Sequence, residues 1–81
     1  MRIDVLFFAA AREKAGTERL SVDLPDGANV ADLWRRLGDE RPALASILPS
    51  CRAAVDEAFM PMTTVLRDGA TVAVLPPVSG G

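Results

Sequence analysis

Apolar positions along the first strand-like segment fall on both parities. Ile3, Val5 and Phe7 share one face and Leu6 and Phe8 the other, as expected of a strand from Ile3 to Phe8 in the middle of a sheet. Ala9 to Ala15 is built from Ala, Arg, Glu and Lys, all good helix formers, and Gly16 follows where a left-handed stop belongs, which predicts one or two helical turns. Leu20, Val22 and Leu24 then alternate with Ser21 and Asp23, the signature of a half-buried strand. Pro25-Asp26-Gly27 makes a turn, because Pro presets φ and Gly accepts a positive one.

The period then changes from two to 3.6. Val30, Leu33, Trp34 and Leu37 recur at helical spacing behind a capping Asn29, with Asp32, Arg35 and Arg36 on the opposite side, so the principal helix lies here. Gly38 and Pro42 punctuate it, and Ala43 to Leu48 predicts a further helical turn before Pro49. Arg52 to Val55 reads as a short strand, Asp56-Glu57 as a turn, and Phe59 to Met62 as an edge segment, since Pro61 cannot donate to a ladder. Arg67-Asp68-Gly69 turns the chain into a last strand, Thr71 to Leu75. The order ββαββ predicts one α+β domain over residues 1–75, a mixed sheet around one main helix, with an extended tail over residues 76–81. If the first and last strands are neighbours they run parallel, because the connection between them is long enough to carry the helix.

Composition changes the picture mainly by exclusion. The chain has 81 residues and a net charge of -2, with no block of like charges, so it lacks the concentrated basic face that nucleic acid requires; an anionic membrane surface is disfavoured for the same reason. The apolar stretch near the N-terminus is short and closed by Arg12, Glu13 and Lys14, unlike a signal peptide or a membrane span. A single cysteine, Cys51, permits no internal disulfide, and a cytoplasmic location is the default expectation. Histidine and tyrosine are both absent. With one cysteine and no histidine, Ser-His and Cys-His nucleophiles and the common zinc and iron–sulfur ligand sets cannot be assembled; a phosphate-binding glycine motif is also absent, so any catalytic groups must come from a partner.

Strand parity places Cys51 inward with Ala53 and Val55, which reads as an inert core thiol, and Trp34 lies on the buried stripe of its helix. Met60 and Met62 suit a contact face or packing equally. The segment Pro76-Pro77-Val78-Ser79-Gly80-Gly81 is different. Two prolines project it stiffly from the domain, and Gly80 and Gly81 lack side chains, so they can thread a narrow channel and bring the Gly81 carboxylate to an enclosed site. Beside it, Leu6 and Phe8 on the first strand and Ala73 and Leu75 on the last point away from the core, and together they would form an apolar docking patch.

Leu6-Phe7-Phe8-Ala9 followed by Arg12-Glu13 and Gly16, the Asp68-Gly69 turn and the Pro76-Pro77-Val78-Ser79-Gly80-Gly81 ending together resemble the small subunits of molybdopterin synthase. Two departures are Asp56, where that family commonly has Asn, and Ala70-Thr71, where it has an acidic residue. The resemblance implies a ubiquitin-like β-grasp domain that binds no cofactor stably and carries sulfur covalently as a thiocarboxylate on Gly81. It further implies two partners: a ubiquitin-activating-like adenylyltransferase that uses ATP to make the Gly81 acyl-adenylate, and a large catalytic subunit in which the sulfur attacks cyclic pyranopterin monophosphate to build the dithiolene. In this scheme Gly80 gives clearance, Phe8 and Leu75 dock the domain, Arg12 adds a charged contact, and Pro76, Pro77, Val78 and Ser79 bind the partner as the tail enters its pocket. A carrier for thiamine or tRNA thiolation shares the chemistry and differs in the acceptor. A protein modifier that joins Gly81 to lysines, and a passive interaction domain, remain as readings of other classes.

Overall fold

The computed structural model describes residues 1–78; the expectations for Ser79, Gly80 and Gly81 lie outside the described residues. Strands β1 (Arg2–Phe7), β2 (Arg19–Asp23), β3 (Arg52–Val55), β4 (Ala58–Met60) and β5 (Thr71–Leu75) form one sheet in the order β2-β1-β5-β3-β4. The first and last strands are central and parallel, with Asp4 opposite Thr71 and Phe7 opposite Val74, and every other pairing is antiparallel. The predicted ββαββ order is one strand short. The edge segment expected at Phe59–Met62 is a true strand that begins earlier and stops before Pro61, as the missing proline N–H requires.

Helix α1 (Ala9–Ala15) ends at Gly16, whose φ of 75° makes the left-handed stop. Phe8 is the residue before α1 and no longer part of the strand, which ends at Phe7. Its backbone stays extended (φ -124°, ψ 152°), so the alternation of faces carries through it. Helix α2 (Val30–Glu40) opens with a reciprocal capping box: Asn29 Oδ1 accepts from the Asp32 N–H and Asp32 Oδ2 from the Asn29 N–H, both at 2.9 Å. The further helical turn starts at Pro42 instead of Ala43. Pro42 opens α3 (Pro42–Ala45), where a missing N–H costs nothing, and Leu48 belongs to a separate 3-10 helix, Leu48–Ser50.

Val30, Leu33, Trp34 and Leu37 of α2 share one buried cluster with Ile3, Val5, Phe7, Val22, Ala53, Val72 and Val74 from the sheet. The Trp34 Nε1–H donates to the Leu48 carbonyl at 2.9 Å, so its single polar group is satisfied inside. Helices cover only this face of the sheet. Its other face carries the alternate side chains of all five strands.

Candidate apolar docking face

Cross-strand register builds the uncovered face in rows. Leu6 lies opposite Arg19 on one side and Ala73 on the other; Ala73 is opposite Ala54, and Ala54 opposite Phe59. One row of side chains therefore runs Arg19, Leu6, Ala73, Ala54, Phe59 across all five strands. In the next row Leu75 is opposite Arg52, and Phe8, one residue beyond the Phe7–Val74 pair, falls beside Leu75. The expected quartet Leu6, Phe8, Ala73 and Leu75 is thus brought together, with Phe8 46% exposed.

Phe59, expected from sequence only as part of an edge segment, enlarges the patch. It is 57% exposed, and the Arg52 guanidinium stacks over its ring at 4.0 Å from the centroid. Its register with Ala54 follows from the two-residue Asp56-Glu57 loop, a signal readable from sequence. That Ala54 stands beside Ala73 is a fact of strand order. Both loop residues have positive φ (47° and 73°), the primed turn that matches strand twist. Asp56 is tied to β5, its N–H donating to the Thr71 carbonyl at 2.8 Å and its Oδ1 accepting from the Thr71 N–H at 2.9 Å.

Arg12 borders a shallow groove with Leu6, Phe8, Ala9, Glu18 and Arg19, and its guanidinium pairs with exposed Glu18 at 3.4 Å. It is exposed at the margin of the patch. Pro76 is half-buried at the end of β5, while Pro77 and Val78 are exposed, Val78 at 94%. Cys51 lies away from this face: it is 7% exposed, its Sγ–H donates to the Ile47 carbonyl at 3.3 Å, and burial pushes its thiol pKa up. Met60 and Met62 are exposed. Among the described residues no group of His, Cys, Asp and Glu is arranged to hold a metal ion, and no helix is long and apolar enough to cross a membrane.

The sheet thus packs one main helix on one face and leaves an apolar face on the other. The ThiS family profile matches residues 5–81. The chain belongs to the ThiS family. Over its whole length it is 40% identical to the molybdopterin synthase sulfur carrier subunit of Chlamydomonas reinhardtii, with 100% of both chains covered. SAMP1 from Haloferax volcanii superposes with a TM-score of 0.92 at 26% identity, again covering 100% of each chain. Subunit 1 or 2 in the Helicobacter pylori complex of the two molybdopterin-converting factor subunits matches with a TM-score of 0.72 at 27% identity and 100% coverage of each. Within the ThiS family this chain groups with the molybdopterin synthase small subunits, which are ubiquitin-like sulfur carriers.

Proposed function

We propose that this ThiS-family chain carries sulfur on the carboxyl group of Gly81 and delivers it, docked through the Phe8–Leu75 face, to a pterin substrate held by a large catalytic subunit. The observation that carries the reading is the parallel β1–β5 pairing, which sets Phe8 beside Leu75 on the uncovered face at the root of the tail. A domain anchored there holds its chain end at a fixed reach. The Helicobacter pylori structure, a complex of subunits 1 and 2, supports a large-subunit partner.

The chemistry balances as follows. A carboxylate is a poor electrophile, so the Gly81 carboxylate first displaces pyrophosphate from ATP on an adenylyltransferase, giving an acyl-adenylate. A sulfide-level donor then displaces AMP and leaves a thiocarboxylate. Its sulfur, a nucleophile, attacks a carbon of cyclic pyranopterin monophosphate and displaces that carbon's oxygen substituent to form a thioester-type linkage. The oxygen leaves as phosphate-ester oxygen or water, with a proton from the partner. Water cleaves the bond between the Gly81 carbonyl and sulfur, which restores the carboxylate and leaves sulfur on the product. Two deliveries make the dithiolene. This chain supplies no histidine or tyrosine for proton transfer, so the partner provides the acid and base.

Intact-mass measurement tests the reading. Protein incubated with the activating enzyme, ATP and sulfide should gain the mass of sulfur replacing oxygen, and Gly81 should be its site. Deleting Gly81 pulls the reactive group back by about 3.5 Å, and a shift of about 1 Å can cost on the order of a hundredfold in rate. The deletion and a one-residue extension should therefore fold normally and fail in adenylation and in molybdopterin formation. Normal activity in either would overturn the proposal. The likeness to SAMP1 favours one second reading, a protein modifier, which predicts isopeptide-linked conjugates in extracts.

A further inference from the structure

The two edges of the sheet are unlike. At one, β4 has three residues and is closed by Pro61, the short, proline-ended form that blocks further pairing. At the other, β2 presents five residues, Arg19-Leu20-Ser21-Val22-Asp23, with no strand beyond it among the described residues. Its main-chain groups alternate. The Glu18 carbonyl accepts from the Phe7 N–H at 2.9 Å, and the Leu24 N–H donates to the Met1 carbonyl at 2.8 Å, so the even-numbered residues are the ones bonded to β1. Arg19, Ser21 and Asp23 therefore direct their N–H and C=O groups outward. Consistent with this, the Thr17 hydroxyl, a local side chain, bonds the Arg19 carbonyl at 3.1 Å and its N–H at 3.4 Å.

We propose that the β2 edge is a self-association surface, which pairs antiparallel with β2 of a second copy about a two-fold axis through Ser21. This inference is independent of the sulfur-carrier reading. In that register Ser21 opposes Ser21 of the copy and Arg19 opposes Asp23, twice by symmetry. These are the residues with outward main-chain groups, so each opposed pair exchanges both of its N–H···O=C bonds. At Arg19 those bonds replace the contacts of the Thr17 hydroxyl.

Side chains agree with the main chain. Arg19 and Asp23 are exposed on the outer face, and neither has an ion-pair partner among the described residues. On the inner face half-buried Leu20 meets Val22 of the copy, extending the core layer. Charge selects the register. A slip of two residues loses both Arg–Asp pairs, and a slip of four opposes Arg19 to Arg19 or Asp23 to Asp23. From Thr17 to Pro25 no like charges face each other, since Glu18 meets Leu24 and Thr17 meets Pro25. An edge carrying one sign of charge would repel its copy, whereas this one is self-complementary. The two-fold axis is perpendicular to the sheet, so both apolar docking faces lie on the same side of a ten-stranded sheet and stay uncovered.

Sedimentation velocity of the full chain over a concentration series up to about 1 mM, the range in which a short edge pairing is populated, tests the proposal. Average mass should rise with concentration. R19D or D23R alone turns both attractive pairs repulsive and should weaken association by about tenfold or more. The double variant R19D/D23R should recover it, and an equimolar mixture of the two single variants should associate where neither does alone. Far-ultraviolet circular dichroism should be unchanged throughout, as both side chains are exposed. A monomer across the whole series, association insensitive to both single variants, or no recovery in the double variant and the mixture would each overturn it.

Discussion

Truncating Phe8 to alanine should weaken binding to the large subunit by about thirtyfold while leaving the domain folded. The ring is 46% exposed in the isolated chain. For a phenylalanine that exposes about 200 Å² when fully open, roughly 90 Å² is left for a partner to cover. At about 25 cal/mol per Å² this is worth about 2 kcal/mol, which corresponds to roughly thirtyfold in affinity. The covered half of the ring is lost to the fold as well, so stability should fall by about 2–3 kcal/mol and the melting temperature by about 8–20 °C. Isothermal titration with the large subunit at 25 °C, on protein shown to be folded by circular dichroism, separates the two effects. Phe59→Ala supplies the comparison: its ring is more exposed, lies in the neighbouring row of the same face, and should also weaken binding, at a smaller cost to the fold. Unchanged affinity in both folded variants would refute a docking face built from this side of the sheet. If Phe8→Ala unfolds at 25 °C, its ring is core and the patch around it has been misread.

Two further expectations concern stability and reactivity. Cys51→Ala should keep sulfur loading on Gly81 within a few-fold of wild type and cost about 1–2 kcal/mol; loss of loading equal to that from deleting Gly81 would make Cys51 part of the transfer. Because burial raises the native thiol pKa, the folded state holds its proton longer than the unfolded chain does. Stability linked to this group is full below the ordinary thiol range and is lost as pH rises through the raised native value; alkaline melts of wild type should show that loss and those of Cys51→Ala should not. Glu57→Gly should raise stability by about 0.5–1 kcal/mol, since glycine relieves the positive φ at the second position of the hairpin loop at some entropic cost; a lower unfolding midpoint in denaturant would show that the Glu57 side chain has a compensating contact.

Local chemistry in the chain was enough to determine most elements of this protein. Asn29 caps and Gly16 stops because the side-chain oxygen of one and the missing Cβ of the other act within a single turn. The inward set Ile3, Val5, Phe7, Val72 and Val74 and the outward set Leu6, Phe8, Ala73 and Leu75 follow from a two-residue period that needs no partner strand to define it. The Gly-Gly ending is likewise a property of the chain itself. Strand order is of another kind. It depends on which hydrogen-bonding edge meets which over separations as long as that from Asp4 to Thr71, and only the folded sheet puts β3 between β5 and β4, and with it Phe59 in the row of Leu6 and Ala73. The same cause hid the contrast between the two edges: β2 and β4 look alike as short alternating or apolar runs, and one becomes an open ladder while the other ends at Pro61 only because five strands close in this order. Alternation settles which face a side chain takes, whereas its neighbours on that face are settled by long-range pairing, where the competing arrangements differ in packing and not in local propensity.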